Sequence, residues 1–410
     1  MEMSTMQRES VPWRRPGNKT GRGGLGTAAL LASLAGLVAF PAAGEDPVRP
    51  ADPSPAQAAA SDQQAAAAGE QAPGGGEKRG RRPPPPPTLA TFTGVVAVGR
   101  TRYTYVMVGS NPQLRRARNV VVPVAIVPMR LEFSDGTVLD PSQPDACLGG
   151  RVPLAVTLQS PLFQDFDYGD GPRQFLEQIR RLEFWKLTGP GKLNPGYSVR
   201  LAPFVLPTQA LALSPASVTE NVACRATGGT QKMGHLEGPD FGTFLQNHVV
   251  PQFPKWGVDA STFVLILLPF ADFTQGGVET AFSYHAAFLT PQGMVTYAAA
   301  QLGLALPGNV VNIGPQSHEL AEWLDDPYGD NVTPPWGNTG QVTSGCEPAL
   351  EVGDPLTGTF LKPIKMPNGI SYQPQETAFF SWFFDQVPSL GFDGWYSSGG
   401  TFKTPAAPCH

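Results

Sequence analysis

Apolar residues change their spacing along the chain, and the changes mark out elements. Two runs rich in β-branched and aromatic residues, Thr91–Val98 and Tyr103–Val108, flank Gly99-Arg100-Thr101-Arg102 and predict a hairpin. Val120–Phe133 (VVVPVAIVPMRLEF) reads as one long strand. Its Pro123 and Pro128 lack the N–H a ladder needs, so the strand is expected to bend or to lie at a sheet edge. Ser134-Asp135-Gly136 supplies a turn, and Asp145–Ser160 reads as irregular and then extended. Within Gly171–Leu187, the residues Phe175, Leu176, Ile179, Leu182 and Trp185 recur at helical spacing and predict a core-facing helix. Ser198–Leu213 returns to strand, and Pro239–Val250 to helix. Thr262–Pro269 (TFVLILLP) shows no polar alternation, the pattern of a central strand covered on both faces. Ala281–Phe288 and Met294–Ala299 predict two more strands. A helix is expected from near Pro315 to Asp326-Pro327, and Phe379–Phe384 predicts a buried aromatic helix rather than a sugar-stacking platform. This order of elements belongs to an α+β fold, a mixed β-sheet with packed helices.

Residues 1–88 follow another rule. A polar stretch with Arg14, Arg15, Lys19 and Arg22 precedes the apolar run Leu25–Phe40, and the small residues Pro41-Ala42-Ala43-Gly44 follow. The run is shorter than the roughly 20 residues a membrane span needs. That succession reads as a signal peptide over residues 1–44, cleaved after Ala43 or Gly44. Left uncleaved it would be an N-terminal anchor, the one route by which the chain would meet a membrane. Arg14-Arg15 is followed by Pro16-Gly17, a poor match to a twin-arginine signal. Residues 45–88 are Ala, Pro, Gly, Gln and Ser, ending in Arg81-Arg82 and Pro83 to Pro87. Such a stretch can bury almost nothing and reads as a disordered linker stiffened by polyproline. Residues 89–410 are then expected to form a single globular domain, in a protein that is secreted or held in the periplasm or cell envelope.

Charge narrows the partners. Residues 1–91 hold 10 Lys and Arg against 8 Asp and Glu, leaving 19 against 26 in the rest. An acidic folded part argues against nucleic acid as a partner. The four cysteines, Cys147, Cys224, Cys346 and Cys409, lie far apart without a C-x-x-C pair, which argues against a cysteine-based metal or redox site. In an exported chain they suit two disulfides. Three pairings are open, and Cys147–Cys224 with Cys346–Cys409 is the preferred one. Asn331-Val332-Thr333 is formally a glycosylation sequon.

The chemistry concentrates in Ser317-His318-Glu319-Leu320-Ala321-Glu322-Trp323-Leu324-Asp325-Asp326-Pro327. On a helix, His318 and Glu322 stand at i and i+4, on one face, where an imidazole and a carboxylate can share a metal ion. Glu319 lies beside them and suits a general base acting on a metal-held water. The pattern is H-E-x-x-E, the zincin H-E-x-x-H with its second histidine replaced by glutamate. A catalytic metal needs a third protein ligand, and Glu351 and Asp354 in Glu347-Pro348-Ala349-Leu350-Glu351-Val352-Gly353-Asp354 are both candidates. Zn²⁺ is the expected cofactor, and the carboxylate-rich set also suits Mn²⁺ or Ca²⁺. His285, next to Tyr284 on a predicted strand, reads either as a core histidine or as a cleft residue that stabilises an oxyanion or adds a ligand. His235 and His248 have no partner pattern. Neither a nucleophile elbow nor a phosphate-binding glycine loop is present.

The segment Ser317–Pro327, with Trp336 after it and then Glu351-Val352-Gly353-Asp354, resembles the Exordium (phosphate-induced) family. That family carries a His-Glu-x-Ala-Glu helix closed by an Asn/Asp-Pro turn, a tryptophan, and then Glu-Ile/Val-small-Asp. Its aromatic-His strand is similar to Ser283-Tyr284-His285. The resemblance covers roughly residues 260–365. It implies that His318 and Glu322 occupy paired metal-ligand positions, Glu319 that of the base and Glu351 that of the distal acid. The family's usual cysteine after the last Asp is replaced here by Pro355-Leu356, with Cys346 upstream instead. Together these features predict an exported zinc-dependent hydrolase, peptidase-like, acting on a peptide or cell-envelope substrate. A secreted or surface-tethered binding protein with a structural metal is the reading from another class. A carbohydrate-binding protein using Trp336 and the C-terminal aromatics is a third.

Overall fold

Six consecutive apolar residues with no polar face can be stable only where both faces are covered, and Phe263–Leu268 is buried along its whole length. In the computed structural model, which describes residues 87–303 and 305–409, this strand lies inside the largest sheet. The expected signal segment, and all but the last two residues of the expected linker, lie outside the described residues. Parallel neighbours flank the strand: Gly293–Gln301 on one side and Val120–Glu132 on the other. Ser283–Thr290 pairs antiparallel with Gly293–Gln301 and is the outermost strand there. Strand periodicity then divides the core in two. Phe263, Leu265 and Leu267 join one cluster with Val124, Ile126, Ala298 and Ala300. Val264, Ile266 and Leu268 join the other with Ala125, Val127 and Ala299. The second face is covered by the helical run Gly238–Trp256, with Phe241, Leu245 and Phe253 pointing in. With two four-stranded sheets and smaller strand pairs besides among the described residues, strand outweighs helix in an α+β fold.

Several elements differ from their sequence reading. Val120–Glu132 is central, not an edge. Its prolines are tolerated because each missing N–H falls in a gap of the ladder. Pro128 sits where the partner changes from Val199–Val205, ending at Ile126↔Val205, to Gln209–Ala212, starting at Met129↔Gln209. Pro123 precedes the first pair with the central strand, Val124↔Phe263. Asp145–Ser160 contains a helix, Pro153–Leu158, with proline in its first turn where no N–H is required. The helix expected over Gly171–Leu187 is shorter, Phe175–Glu183. Pro172–Arg173 pairs as a strand before it, and Phe184 breaks the helical φ/ψ after it. The first hairpin turns on Gly99-Arg100 alone, Gly99 having positive φ.

The helix Gly314–Asp325 lies against the first face of the sheet, and every residue in it but Pro315 is buried. Trp323 stacks on Phe263, with ring centroids 4.2 Å apart, and its indole N–H donates to Thr296 Oγ1 at 2.9 Å. At its C-terminus the fully buried Arg180 lies 2.8 Å from Asp325 and 3.0 Å from Glu183, and donates to the Leu324 carbonyl at 2.6 Å. Glu183 also accepts from the Phe380 N–H. Burial and the neighbouring Asp325 push the Glu183 carboxyl well above the usual range, against the pull of Arg180. Past the helix, Asn331 exchanges two hydrogen bonds with the backbone of Val106, accepting at 2.8 Å and donating at 2.7 Å. Its amide nitrogen also donates to the Asp325 carbonyl, and the residue is 3% exposed, so the sequon nitrogen is already engaged in the fold.

Disulfides join Cys147 to Cys224 and Cys346 to Cys409. They fit an oxidising compartment, hence an extracellular setting. Among the described residues no helix is long and apolar enough to cross a membrane. Replacing Arg180 by Met would leave Glu183 and Asp325 buried without their cation. The expected loss is about 3–5 kcal/mol, read as a lower denaturation midpoint in urea and partly recovered by adding Asp325→Asn.

Candidate metal centre

Three separate segments supply the ionisable side chains. On the helix Gly314–Asp325, Glu322 stands four residues from His318 and three from Glu319, so it neighbours both on the helix surface. The outer strand contributes His285, which stands opposite Ala298 in the antiparallel register. Opposed residues share a face, and Ala298 belongs to the helix-side core, so His285 is directed at the helix while Tyr284 faces the other core. Small side chains at Ala298 and Ala300 leave the helix room to approach. The third segment follows the strand Glu347–Ala349 and brings in Glu351, then Asp354 at the start of a single 3₁₀ turn, Asp354–Leu356.

Five of the six side chains form two groups that share Glu322, His318 with Glu322 and Asp354, and His285 with Glu319 and Glu322. His318 Nε2 lies 3.0 Å from Glu322 Oε1 and 3.2 Å from Asp354 Oδ1. Glu319 Oε1 stands 3.9 Å from the same nitrogen. His285 Nδ1 lies 3.3 Å from Glu319 Oε2, 3.4 Å from Glu322 Oε2 and 4.0 Å from Glu351 Oε2. The two acids left open by the sequence are thereby separated, with Asp354 beside His318 and Glu351 beside His285. All these side chains are buried except that of Glu351, which is 23% exposed.

Electrostatics follow from crowding carboxylates out of water. Burial alone would lower the His318 pKa, but Glu322, Asp354 and Glu319 together hold it well above the ordinary imidazole value. His285 is raised in the same way, burial being outweighed by Glu319, Glu322 and Glu351. Burial acts to raise Glu322, yet His318 and His285 draw it well below the usual carboxylate range. Asp354 is pushed up to about 6 by burial and by the charge of Glu322, despite His318. Glu351 is raised well above its ordinary value by burial and then Glu322.

Do these donors suit a divalent cation? Atoms bound to one zinc at about 2.0–2.2 Å stand roughly 3.3–3.6 Å apart in a tetrahedron, and about 3 Å apart across an octahedral edge. The 3.0 and 3.2 Å contacts around His318 lie near both ranges, and the imidazole–carboxylate set is one that Zn²⁺ and Mn²⁺ accept. The residues fit.

One supporting residue, Gln375, escaped the sequence reading, and Gly353 entered it only as the small residue between Glu351 and Asp354. Gln375 Nε2 lies 2.7 Å from the Gly353 carbonyl and 3.0 Å from His318 Nδ1, and the Gln375 N–H donates to Ser317 Oγ. As placed, the Gln375 amide nitrogen meets two acceptors, so ligation through His318 Nε2, which moves the ring proton to Nδ1, would require the amide to shift from His318 while keeping its bond to Gly353. Gly353 donates its N–H to Glu322 Oε1 at 3.0 Å. Its backbone, at φ −82°, suits any residue, but a Cβ there would lie 2.5 Å from His318 Nδ1. The small residue between Glu351 and Asp354 is thus a space requirement of the imidazole. Pro374-Gln375 belongs to no recognisable pattern, so nothing in the sequence marks it. Elsewhere, His235 pairs with Asp272 at 2.7 Å on adjacent parallel strands, and burial raises that carboxyl to about 6 despite His235.

Gly353→Ala is expected to displace the His318 ring while leaving the fold intact. Zinc affinity by calorimetry should fall by at least tenfold, with an unchanged circular dichroism spectrum. No family model matches the chain, and neither a curated protein nor a solved structure is similar to it.

Proposed function

We propose that the chain is an exported metal-dependent hydrolase of peptidase-like chemistry, acting on peptide or cell-envelope material. The observation that carries this reading is the convergence of His318 Nε2, Glu322 Oε1 and Asp354 Oδ1, three donors drawn from a helix and a distant loop. Zn²⁺ is the assigned cation, with Mn²⁺ or Ca²⁺ suited by the carboxylate share. When bound, it supplies Lewis acidity and lowers the pKa of a coordinated water. Glu319, 3.9 Å from His318 Nε2, is placed to take a proton from a water in the cleft and return it to a leaving amine. His285 holds the Glu319 carboxylate from the other side, at 3.3 Å. The H-E-x-x-E helix is zincin-like in this reading, and the resemblance of Ser317–Pro327 and Glu351–Asp354 to the Exordium family supports a site at these positions.

One observation favours a second reading, a binding protein whose metal is structural. His285, Glu319 and Glu322 have side chains only 4% exposed, which leaves a narrow approach for substrate. The two readings part at Glu319. For the hydrolase, His318→Ala and Asp354→Asn each remove one equivalent of zinc by elemental mass spectrometry. Glu319→Gln keeps the zinc beside His318 and lowers hydrolysis of a peptide library by about 10²–10⁴-fold. Full activity in Glu319→Gln would eliminate the hydrolase reading; no zinc in the parent protein would eliminate both.

A further inference from the structure

Glu322 uses its two oxygens differently. Oε1 lies 3.0 Å from His318 Nε2, in the group with Asp354, whereas Oε2 lies 3.4 Å from His285 Nδ1, in the group with Glu319. Only the first group is needed to hold one cation, so the second group requires its own explanation.

The orientation of His285 is informative. Its Nε2 lies 3.1 Å from the backbone carbonyl of Asp326, an acceptor only, so Nε2 carries a proton there. Neutral His285 therefore aims the Nδ1 lone pair at the oxygens of Glu319, Glu322 and Glu351. Lone pairs meeting lone pairs repel unless a cation stands between them. A ring N–H bonded to a backbone carbonyl with the other nitrogen facing acid oxygens is also how metal-ligating histidines are held. A proton is the competing cation, and distance separates the two. Charge-assisted N–H···O contacts contract to about 2.7–2.9 Å. The Glu319 and Glu322 contacts, 3.3 and 3.4 Å, are longer than that and match the spacing of two atoms around one metal ion, while Glu351 stands farther out at 4.0 Å.

Charge counts in the same direction. Glu319, Glu322, Glu351 and Asp354 bring four negative charges close together when ionised, and among the described residues none of them forms an ion pair with a lysine or arginine. One divalent cation would neutralise half of that charge; two would neutralise all of it.

We propose that this is a two-cation centre, with Glu322 bridging a first ion held by His318 and Asp354 and a second held by His285 and Glu319, Glu351 standing farther out at 4.0 Å from His285 Nδ1. The proposal rests on the metal-site reading above and extends it. The ions are divalent and of the zinc or manganese class, and a bridging carboxylate sets them about 3.5–4 Å apart. In this centre Glu319 and His285 would both ligate the second ion, which replaces the general-base role that Glu319 has in the single-metal reading.

Stoichiometry tests it. The tag-free full chain is stripped with chelator, titrated with Zn²⁺, and measured by elemental mass spectrometry, with a parallel Mn²⁺ sample for electron paramagnetic resonance. Two equivalents in the parent and one in His285→Ala are expected, with a spin-coupled Mn²⁺ spectrum in the parent that becomes a six-line mononuclear one in His285→Ala. Should that variant fail to fold, the parent spectrum and His285→Gln decide alone. One equivalent and an uncoupled spectrum in the parent would overturn the second ion while leaving the single-metal hydrolase standing. Two equivalents retained in both proteins would place the extra ion elsewhere and overturn it equally. No bound metal would overturn this proposal together with the reading beneath it.

Discussion

A helix buried on nearly every side that carries His318, Glu319, Glu322 and Asp325 is the constraint around which the rest is arranged. Each of those groups loses water on folding, a cost of several kcal/mol per uncompensated ion. The fold meets it differently at the two ends. At the C-terminal end Asp325 has Arg180, a cation supplied by another helix. In the middle, Glu319 and Glu322 meet two histidines, one backbone N–H and further acids, with no lysine or arginine paired to them among the described residues. The first arrangement is self-sufficient and serves stability. The second is incomplete as a protein-only structure, because its compensation must come from protons or from bound ions.

The sheet supplies the rigidity such a centre needs. Trp323 on Phe263 and Thr296 ties the helix to the two innermost strands, so His318 and Glu322 inherit the fixed position of the most deeply buried backbone. His285 sits on the neighbouring hairpin strand and approaches from the side. Glu351 and Asp354 come from a loop, whose placement is secured by Gly353 bonding to Glu322, Gln375 bonding to Gly353, and the Cys346–Cys409 bridge just upstream. Helix and strand residues thus set the site, and the loop closes over it.

How much of this could be read from the sequence depended on the range of the interaction concerned. The helix was legible because i and i+4 spacing is local, and Pro315 and Asp326-Pro327 bracket it. The central strand was legible from composition alone. Glu351 and Asp354 were visible as candidates, but which one reaches His318 depends on a 3₁₀ turn and a return of the chain that no local pattern encodes. His285 could not be told from a core histidine until its register with Ala298 was known. Gln375 and Gly353 act through space and a single amide, and leave no periodic mark. Pro123 and Pro128 misdirected the reading for the same reason: a proline is excluded from a central strand only where a partner stands opposite its nitrogen, and here the partners change at those points. For Pro153–Leu158, β-branched Val156 and Thr157 suggested extended chain, and tertiary burial prevailed.

Asn331 links chain regions made at very different times. Its side-chain amide closes on both backbone groups of Val106, 225 residues earlier. At synthesis rates of about 5–20 residues per second, that amide emerges on the order of 10–45 s after the strand it completes. Throughout that interval the Thr91–Val108 hairpin has an open edge, and an isolated two-stranded hairpin is marginal in water. The first-made strands therefore spend their early life as an unclosed template, dependent on escorts or on delayed folding until the far half of the chain arrives.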